Sequence, residues 1–173
     1  MSSTIISHLY KGDENHWHIQ SNEDHCVGVA NLASGFADEF GMASWGRVLG
    51  LLHDKGKESN AFQQHIRKES GLEPDIRVNG DYNHAYVGGI IARQLYGNSF
   101  DNFFVNQIIS HHTGLHDYDE IDGIVNKDIP SEIDTNIPRE NLNKVGFKTV
   151  ASDFHHLSRM LYSCLVDADF LDT

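Results

Sequence analysis

His53-Asp54 is the pair on which the chemistry of this sequence turns. It follows the apolar run Val48-Leu49-Gly50-Leu51-Leu52 and precedes Lys55-Gly56-Lys57. Two metal-binding side chains therefore emerge at the end of a buried helix, whose packing holds them rigidly, as metal chemistry requires. An imidazole beside a carboxylate also arises by chance at helix ends, so the pair alone decides nothing. Further donors recur along the chain. His25 lies early in the first apolar helix, His84 opens a later one, and His111-His112 closes the next. Asp167 sits inside Leu165-Val166-Asp167-Ala168-Asp169, near the end of the last. Each interrupts or borders an apolar stretch, and a buried polar group without a partner is costly. One such histidine is ordinarily a satisfied core residue. Convergence from separate helices points instead to a shared divalent cation.

Composition agrees with that reading and narrows it. The chain carries 12 histidines, and histidine is the commonest metal ligand. The formal net charge of −12 argues against unaided, non-specific nucleic-acid binding, because phosphates are normally held by Lys and Arg. Part of that negative charge suits sites that cations neutralise. The length of 173 residues fits one domain with a sizeable core. No apolar run reaches the roughly 18 residues of a membrane span. The N-terminal stretch MSSTIISHLYKGDENHWH has neither the basic start nor the apolar centre of a secretory signal. Cys26 and Cys164 are too few for a disulfide framework and lie among apolar neighbours, as small buried hydrophobes do. A cytoplasmic protein is the expectation.

The elements that must position these donors are helices. The first begins at Ser21 or Asn22, either of which can cap it, and runs to about residue 40 with Cys26, Val29, Ala30, Ala33, Phe36, Ala37 and Phe40 at helical spacing. A second spans about 44–55 and is closed by Gly56. A polar helix follows over about 60–69, then a loop over 70–82 broken by Gly71, Pro74 and Gly80. Helices over about 83–96 and 101–112 end at Gly97 and Gly114. Residues 115–150 read as polar and irregular, with a short helix near 139–144; the acidic stretch 117–122 reads as a solvated loop. A last helix starts at Ser152 and carries Phe154, Leu157, Leu161, Leu165 and Val166. Val, Ile and Thr nowhere alternate long enough to make a convincing sheet, so the predicted class is all-α.

The ordered set His25, His53-Asp54, His84, His111-His112 and Asp167 resembles the HD superfamily of metal-dependent phosphohydrolases. It looks most like the HD nuclease of type I CRISPR interference, which stands alone or is fused to a helicase. The strings Leu52-His53-Asp54-Lys55-Gly56-Lys57, Ser110-His111-His112-Thr113-Gly114-Leu115 and Val166-Asp167-Ala168-Asp169-Phe170-Leu171-Asp172-Thr173 carry this likeness, with Trp17-His18 before His25. The resemblance covers about residues 8–173 and implies that 1–173 is a single HD helical bundle around a buried dinuclear site. It departs at Ala85, where relatives often carry a small hydroxyl residue after the histidine.

Carried over residue by residue, the resemblance implies that His25, His53, Asp54 and Asp167 hold one ion. Asp54, His84, His111 and His112 hold a second, with Asp54 bridging. Such a pair of ions, about 3.5–4 Å apart, activates water and stabilises the leaving oxygen of a phosphodiester. Imidazole-rich donors suit Mn, Fe, Co or Ni better than Mg. Asp54 and Lys57 are the implied catalytic residues, Lys57 as a phosphate contact beside the metals; without the motif it would read as a solvated lysine after a helix end. The implied activity is endo- and exonucleolytic cleavage of single-stranded DNA, with a helicase and a crRNA-guided surveillance complex as partners. The alternatives are an HD hydrolase of nucleotides or cyclic nucleotides, and a non-enzymatic metal-stabilised module that recruits a partner. His155-His156 reads as an exposed pair in the first turn of the last helix, His16 and His18 as surface residues, and His8, His65 and His116 as surface or loop residues. Asp169 and Asp172 fall about 200° and 500° around the last helix from Asp167 and read as supporting, capping or solvent groups.

Overall fold

Ser21 opens the helical part of the molecule. Its hydroxyl oxygen accepts from Asp24 N, satisfying an otherwise orphaned donor at the start of α1 (Asn22–Asp38). Along α1 the small residues Ala30, Ala33 and Ala37 are fully buried and face α2 (Ala43–Leu52). On α2, Gly46 and Gly50 lie against them so closely that a Cβ on Gly46 would strike Ala33 O, and one on Gly50 would strike Ala30. This contact sets α1 and α2 side by side and brings His25 level with His53. A similar approach joins the end of α2 to α4 (Ala85–Tyr96): a Cβ on Gly88 would meet Leu52 O, and one on Gly56 would meet His84 O. Gly56 belongs to a 3-10 turn, Lys55–Glu58, that follows Asp54.

The computed structural model describes residues 4–13, 16–145 and 151–173. Among them are seven α-helices: after α2 come α3 (Asn60–Ser70), α4, α5 (Val105–Ser110), α6 (Tyr118–Val125) and α7 (Ala151–Asp172). The molecule is mostly helical, as predicted, and no helix in the described residues is long and apolar enough to cross a membrane. The core lies between α1, α2, α4, α5 and α7. Trp45 packs against Phe100, Phe103 and Phe104, while Leu49, Leu161 and Leu165 are fully buried. Each such leucine contributes on the order of 1.5–3 kcal/mol by leaving water.

Three local expectations differ from the structure. A β-hairpin is present: β1 (Ile6–Lys11) pairs antiparallel with β2 (Trp17–Ser21), Leu9 opposite Ile19. Its strands are too short, and too rich in polar residues, for alternation to reveal them. A tertiary contact supports the hairpin, since Gln63 on α3 accepts from Ile6 N and donates to Ile6 O and Lys57 O. Second, the acidic stretch after residue 117 is not a loop but α6, started by a capping box in which Asp117 and Glu120 satisfy each other's backbone donors. Third, residues 139–144 are not helical; Asn143 instead binds Ser44 and the Trp45 indole, so tertiary bonds replace helical ones there. The Ser152 side chain expected to cap α7 lies outside the described residues.

Candidate metal centre

Helix ends, rather than helix middles, aim the donors inward. His53 terminates α2 and Asp54 follows in a non-helical conformation; both are fully buried. His84 precedes the first turn of α4, and His111-His112 follow the last turn of α5. His25, also fully buried, comes from the first turn of α1. All converge on Asp54. His25 Nε2 and His53 Nε2 each lie 3.3 Å from Asp54 Oδ2. His84 Nε2 and His111 Nε2 each lie 3.4 Å from Asp54 Oδ1. His112 joins through its Nε2, 3.1 Å from that of His84.

The sequence-based ligand set needs one correction. Asp167 is exposed on the outer side of α7, and Asp169 takes the position expected for it. Asp169 Oδ1 lies 3.2 Å from His25 Nε2 and 3.6 Å from His53 Nε2. The reason is helical phase. Leu157, Leu161, Leu165 and Ala168 form the buried stripe of α7, and Asp169 is four residues beyond Leu165 on that stripe. Asp167, two residues beyond Leu165, points about 200° away. Leu161 and Leu165 carried this signal in the sequence.

Two overlapping groups result: His25, His53, Asp54 and Asp169; and Asp54, His84, His111 and His112. Within each, the donor atoms lie within 4.8 Å of one another. The atoms left without partners show that these residues fit metal ions. Neither oxygen of Asp54 completes a hydrogen bond of good geometry, and His111 Nε2 has no partner, although all three atoms are buried. The Lys57 ammonium stands 2.6 Å from Asp54 Oδ2 as an ion pair. Meanwhile the imidazoles are already turned for ligation. His53 Nδ1–H donates to Gly50 O at 2.8 Å and His111 Nδ1–H to Ile108 O at 2.5 Å. Each Nε2, once deprotonated, would turn its lone pair toward the centre. His25 Nε2 and His53 Nε2 approach to 3.3 Å, so both could serve one cation.

Electrostatics tell the same story. Burial raises the Asp54 carboxyl, but the His53 charge and the close approach of the His111, His25 and His53 imidazoles outweigh it and hold the group well below the usual carboxylate range. Burial lowers the His53 imidazole, yet the Asp54 and Asp169 carboxylates raise it to about 10. His112 moves the other way: burial, with His111 and His84 nearby, pushes it down to about 4. The centre opens to solvent on this second side, where His112 is exposed and His84 half-buried.

A family model for the HD domain matches residues 22–143. The chain belongs to the HD domain family. That membership makes it a metal-dependent phosphohydrolase, and the buried His/Asp cluster is compatible with holding divalent metal. A search of curated proteins finds no match. The matched span holds His25, His53-Asp54, His84 and His111-His112, but not the hairpin or α7. Asp169 therefore lies outside the HD match and reaches the centre through the packing of α7 on α1.

The remaining histidines divide. His155 and His156 are exposed, as are His16 and His18, and His116 pairs with Glu120 at 3.0 Å. His8 is the one that sequence reasoning missed. On β1, its ring meets His25 edge-on at 4.4 Å and its Nε2 lies 3.0 Å from Lys57 Nζ. Nothing in the local sequence announces this, because the hairpin that carries His8 there is itself invisible to periodicity. Lys57 is buried, with Ser7 Oγ at 3.1 Å from its ammonium.

Proposed function

We propose that this HD domain is a two-metal nuclease that hydrolyses phosphodiester bonds of single-stranded DNA, by both endo- and exonucleolytic cleavage. The observation that supports the two-metal part is the placement of Asp54: each of its oxygens faces a different pair of imidazoles, so the one carboxylate could be shared by two ions. Bound ions supply an activated water and neutralise charge on the phosphate and leaving oxygen. The chain's own residues do the rest. Asp54 fixes the spacing of the two donor groups, and the outward-facing His112 marks the side from which a phosphate enters. Lys57 places a buried positive charge 2.6 Å from Asp54 Oδ2, from where it would offset negative charge that develops at the metals. The donor set, mainly imidazole, suits Mn, Fe, Co or Ni better than Mg.

Two features support a polymeric substrate over a small nucleotide. The centre is open on the His112 side. Beside it the Tyr82 ring, about half exposed and only two residues before His84, stacks on His65 with centroids 3.9 Å apart. An exposed aromatic ring offers a base a surface to stack on, as single-strand binders do. With a net charge of −12, the chain is poorly suited to capture DNA unaided. Delivery by a helicase, fused or separate, and by a crRNA-guided complex follows from the type I CRISPR resemblance, with the cytoplasm as the place of action.

The test is cleavage of circular single-stranded DNA by the purified protein. Mn, Ni, Co or Mg is restored after chelation, beside a His53→Ala/Asp54→Ala double variant, with a cyclic nucleotide as competing substrate. Metal-dependent cutting of the circle, absent in the variant, is the expected result. An intact circle with a hydrolysed nucleotide moves the activity to small-molecule phosphoesters and removes the DNA reading.

A further inference from the structure

The ligand His25 is held from behind by residues that lie outside the HD match. Its Nδ1 lies 2.9 Å from Asp172 Oδ2, on the last turn of α7. Gln20 on β2 donates its Nε2–H to that same oxygen at 2.7 Å and to Asp172 O at 3.1 Å. Gln20 Oε1 in turn accepts from His8 Nδ1 at 3.0 Å, and His8 Nε2 faces the Lys57 ammonium at 3.0 Å. Lys57 returns to Asp54 at 2.6 Å, so a closed ring of polar contacts runs behind the first donor group.

The Asp172 carboxylate needs room beside α1, and Gly28 provides it. Gly28 sits one turn after His25, in the interior of a helix, where glycine is a poor helix former. A Cβ there would collide with Asp172 Oδ1 and would lie 2.7 Å from its Cγ. Helix propensity favours alanine at this position, but its methyl would push the Asp172 carboxylate aside.

We infer that Asp172 is a positioning residue that fixes the tautomer and orientation of His25, that Gln20 and His8 hold it there, and that Gly28 keeps its slot open. The β-hairpin and the end of α7 thereby set the affinity of the His25, His53, Asp54 and Asp169 group for its ion. A carboxylate on the far nitrogen of a ligating imidazole fixes the protonated nitrogen and raises ligand basicity, and loss of such a partner typically weakens metal binding about 10–100-fold. The inference rests on the reading of the cluster as a metal centre.

The experiment is a Co(II) titration of the full chain, followed by visible absorption, on wild type, Gly28→Ala, Asp172→Ala and Asp172→Asn, with thermal melting of each metal-free protein. Gly28→Ala is expected to melt no lower than wild type, yet to bind one of its ions about 10–100-fold more weakly with an altered Co(II) spectrum. Asp172→Ala reproduces that loss, and Asp172→Asn, which keeps an acceptor oxygen for His25, recovers part of it. Binding at the other group is unchanged in all three. Folded Gly28→Ala and Asp172→Ala proteins with the wild-type affinity and spectrum would overturn the inference and leave the metal centre standing. A wild-type chain that takes up no Co(II) overturns both. Should Gly28→Ala fold poorly, the two Asp172 variants decide.

Discussion

Two buried aspartates stand in contrast. Asp101 is almost fully enclosed and is gripped by Arg93, whose Nε donates to Oδ1 at 3.1 Å and whose Nη2 donates to Oδ2 at 2.5 Å. The same Nη2 reaches Asp122 at 3.1 Å. This planar fork matches a carboxylate, and it leaves both oxygens satisfied. Asp54 is enclosed just as fully, but it is ringed by imidazole nitrogens at 3.3–3.4 Å and completes no good hydrogen bond. The first cluster needs nothing further from outside the chain. The second holds one cation of its own, Lys57 at 2.6 Å from Oδ2, yet Oδ1 faces only imidazoles, and this surplus of donors suits a cation from outside the chain.

Removing each carboxylate separates the two roles most sharply. Asp54→Ala is expected to abolish phosphodiester cleavage, a loss of at least about 1000-fold (about 4 kcal/mol of transition-state stabilisation), because both donor groups lose their shared member. Its metal-free stability should fall as well, since the buried Lys57 ammonium loses the carboxylate 2.6 Å away. Asp101→Ala should spare the metal sites. It strips Arg93 of its buried partner at a cost of about 3 kcal/mol in stability, while the metal stoichiometry stays that of wild type. Chemical denaturation paired with metal analysis reads both. An Asp54→Ala protein with full metal content would erase the contrast.

Among the described residues Lys57 is the one lysine or arginine paired with Asp54, so it blurs the comparison and can sharpen it. Lys57→Met keeps the bulk of the buried stem and removes the charge. Turnover is expected to fall about 100-fold, the size seen when a single charge-stabilising donor is lost from an active site. Metal stoichiometry should not change, because lysine is not among the donors. Single-turnover kinetics at saturating metal separates the two effects. A parallel loss of bound metal would make Lys57 a support of the ligand shell instead.

How far this centre was legible in the sequence depends on which kind of element carries each donor. His25, His53, Asp54, His84, His111 and His112 announce themselves because each interrupts or ends an apolar helical pattern, and burial in such a pattern is a local property. Helix α7 was legible as a helix, but its rotation was not. The pattern Leu165-Val166-Asp167 suggests an inward Asp167 when read alone, whereas the longer stripe from Leu157 to Ala168 turns Asp169 inward. Phase is fixed by packing against α1, a long-range contact that no short window contains. The hairpin was lost altogether, and with it His8 and Gln20, because its stability comes from Gln63 and from the bundle rather than from strand alternation. Asp169→Ala and Asp167→Ala test this point directly. The first should weaken metal binding by at least the roughly 10–100-fold typical of losing even an outer partner of a ligand. The second, an exposed change, should leave stability within about 0.5 kcal/mol and binding unaltered.

A last effect is set by protons. In the metal-free cluster the Asp54 and Asp169 carboxylates outweigh burial and keep His53 protonated up to about 10, and they raise His25 as well. An imidazolium has no lone pair for a metal, so binding must expel these protons. The sign follows: protons compete with the ion, and apparent metal affinity rises with pH while His53 or His25 remains protonated in the free protein. Each proton displaced contributes about tenfold in affinity per pH unit. Calorimetric titration with Mn or Co between pH 6 and 8, in buffers of different ionisation heat, counts the protons released. A count of zero would mean that His53 is neutral before the ion arrives, and that its charge plays no part in holding the empty centre together.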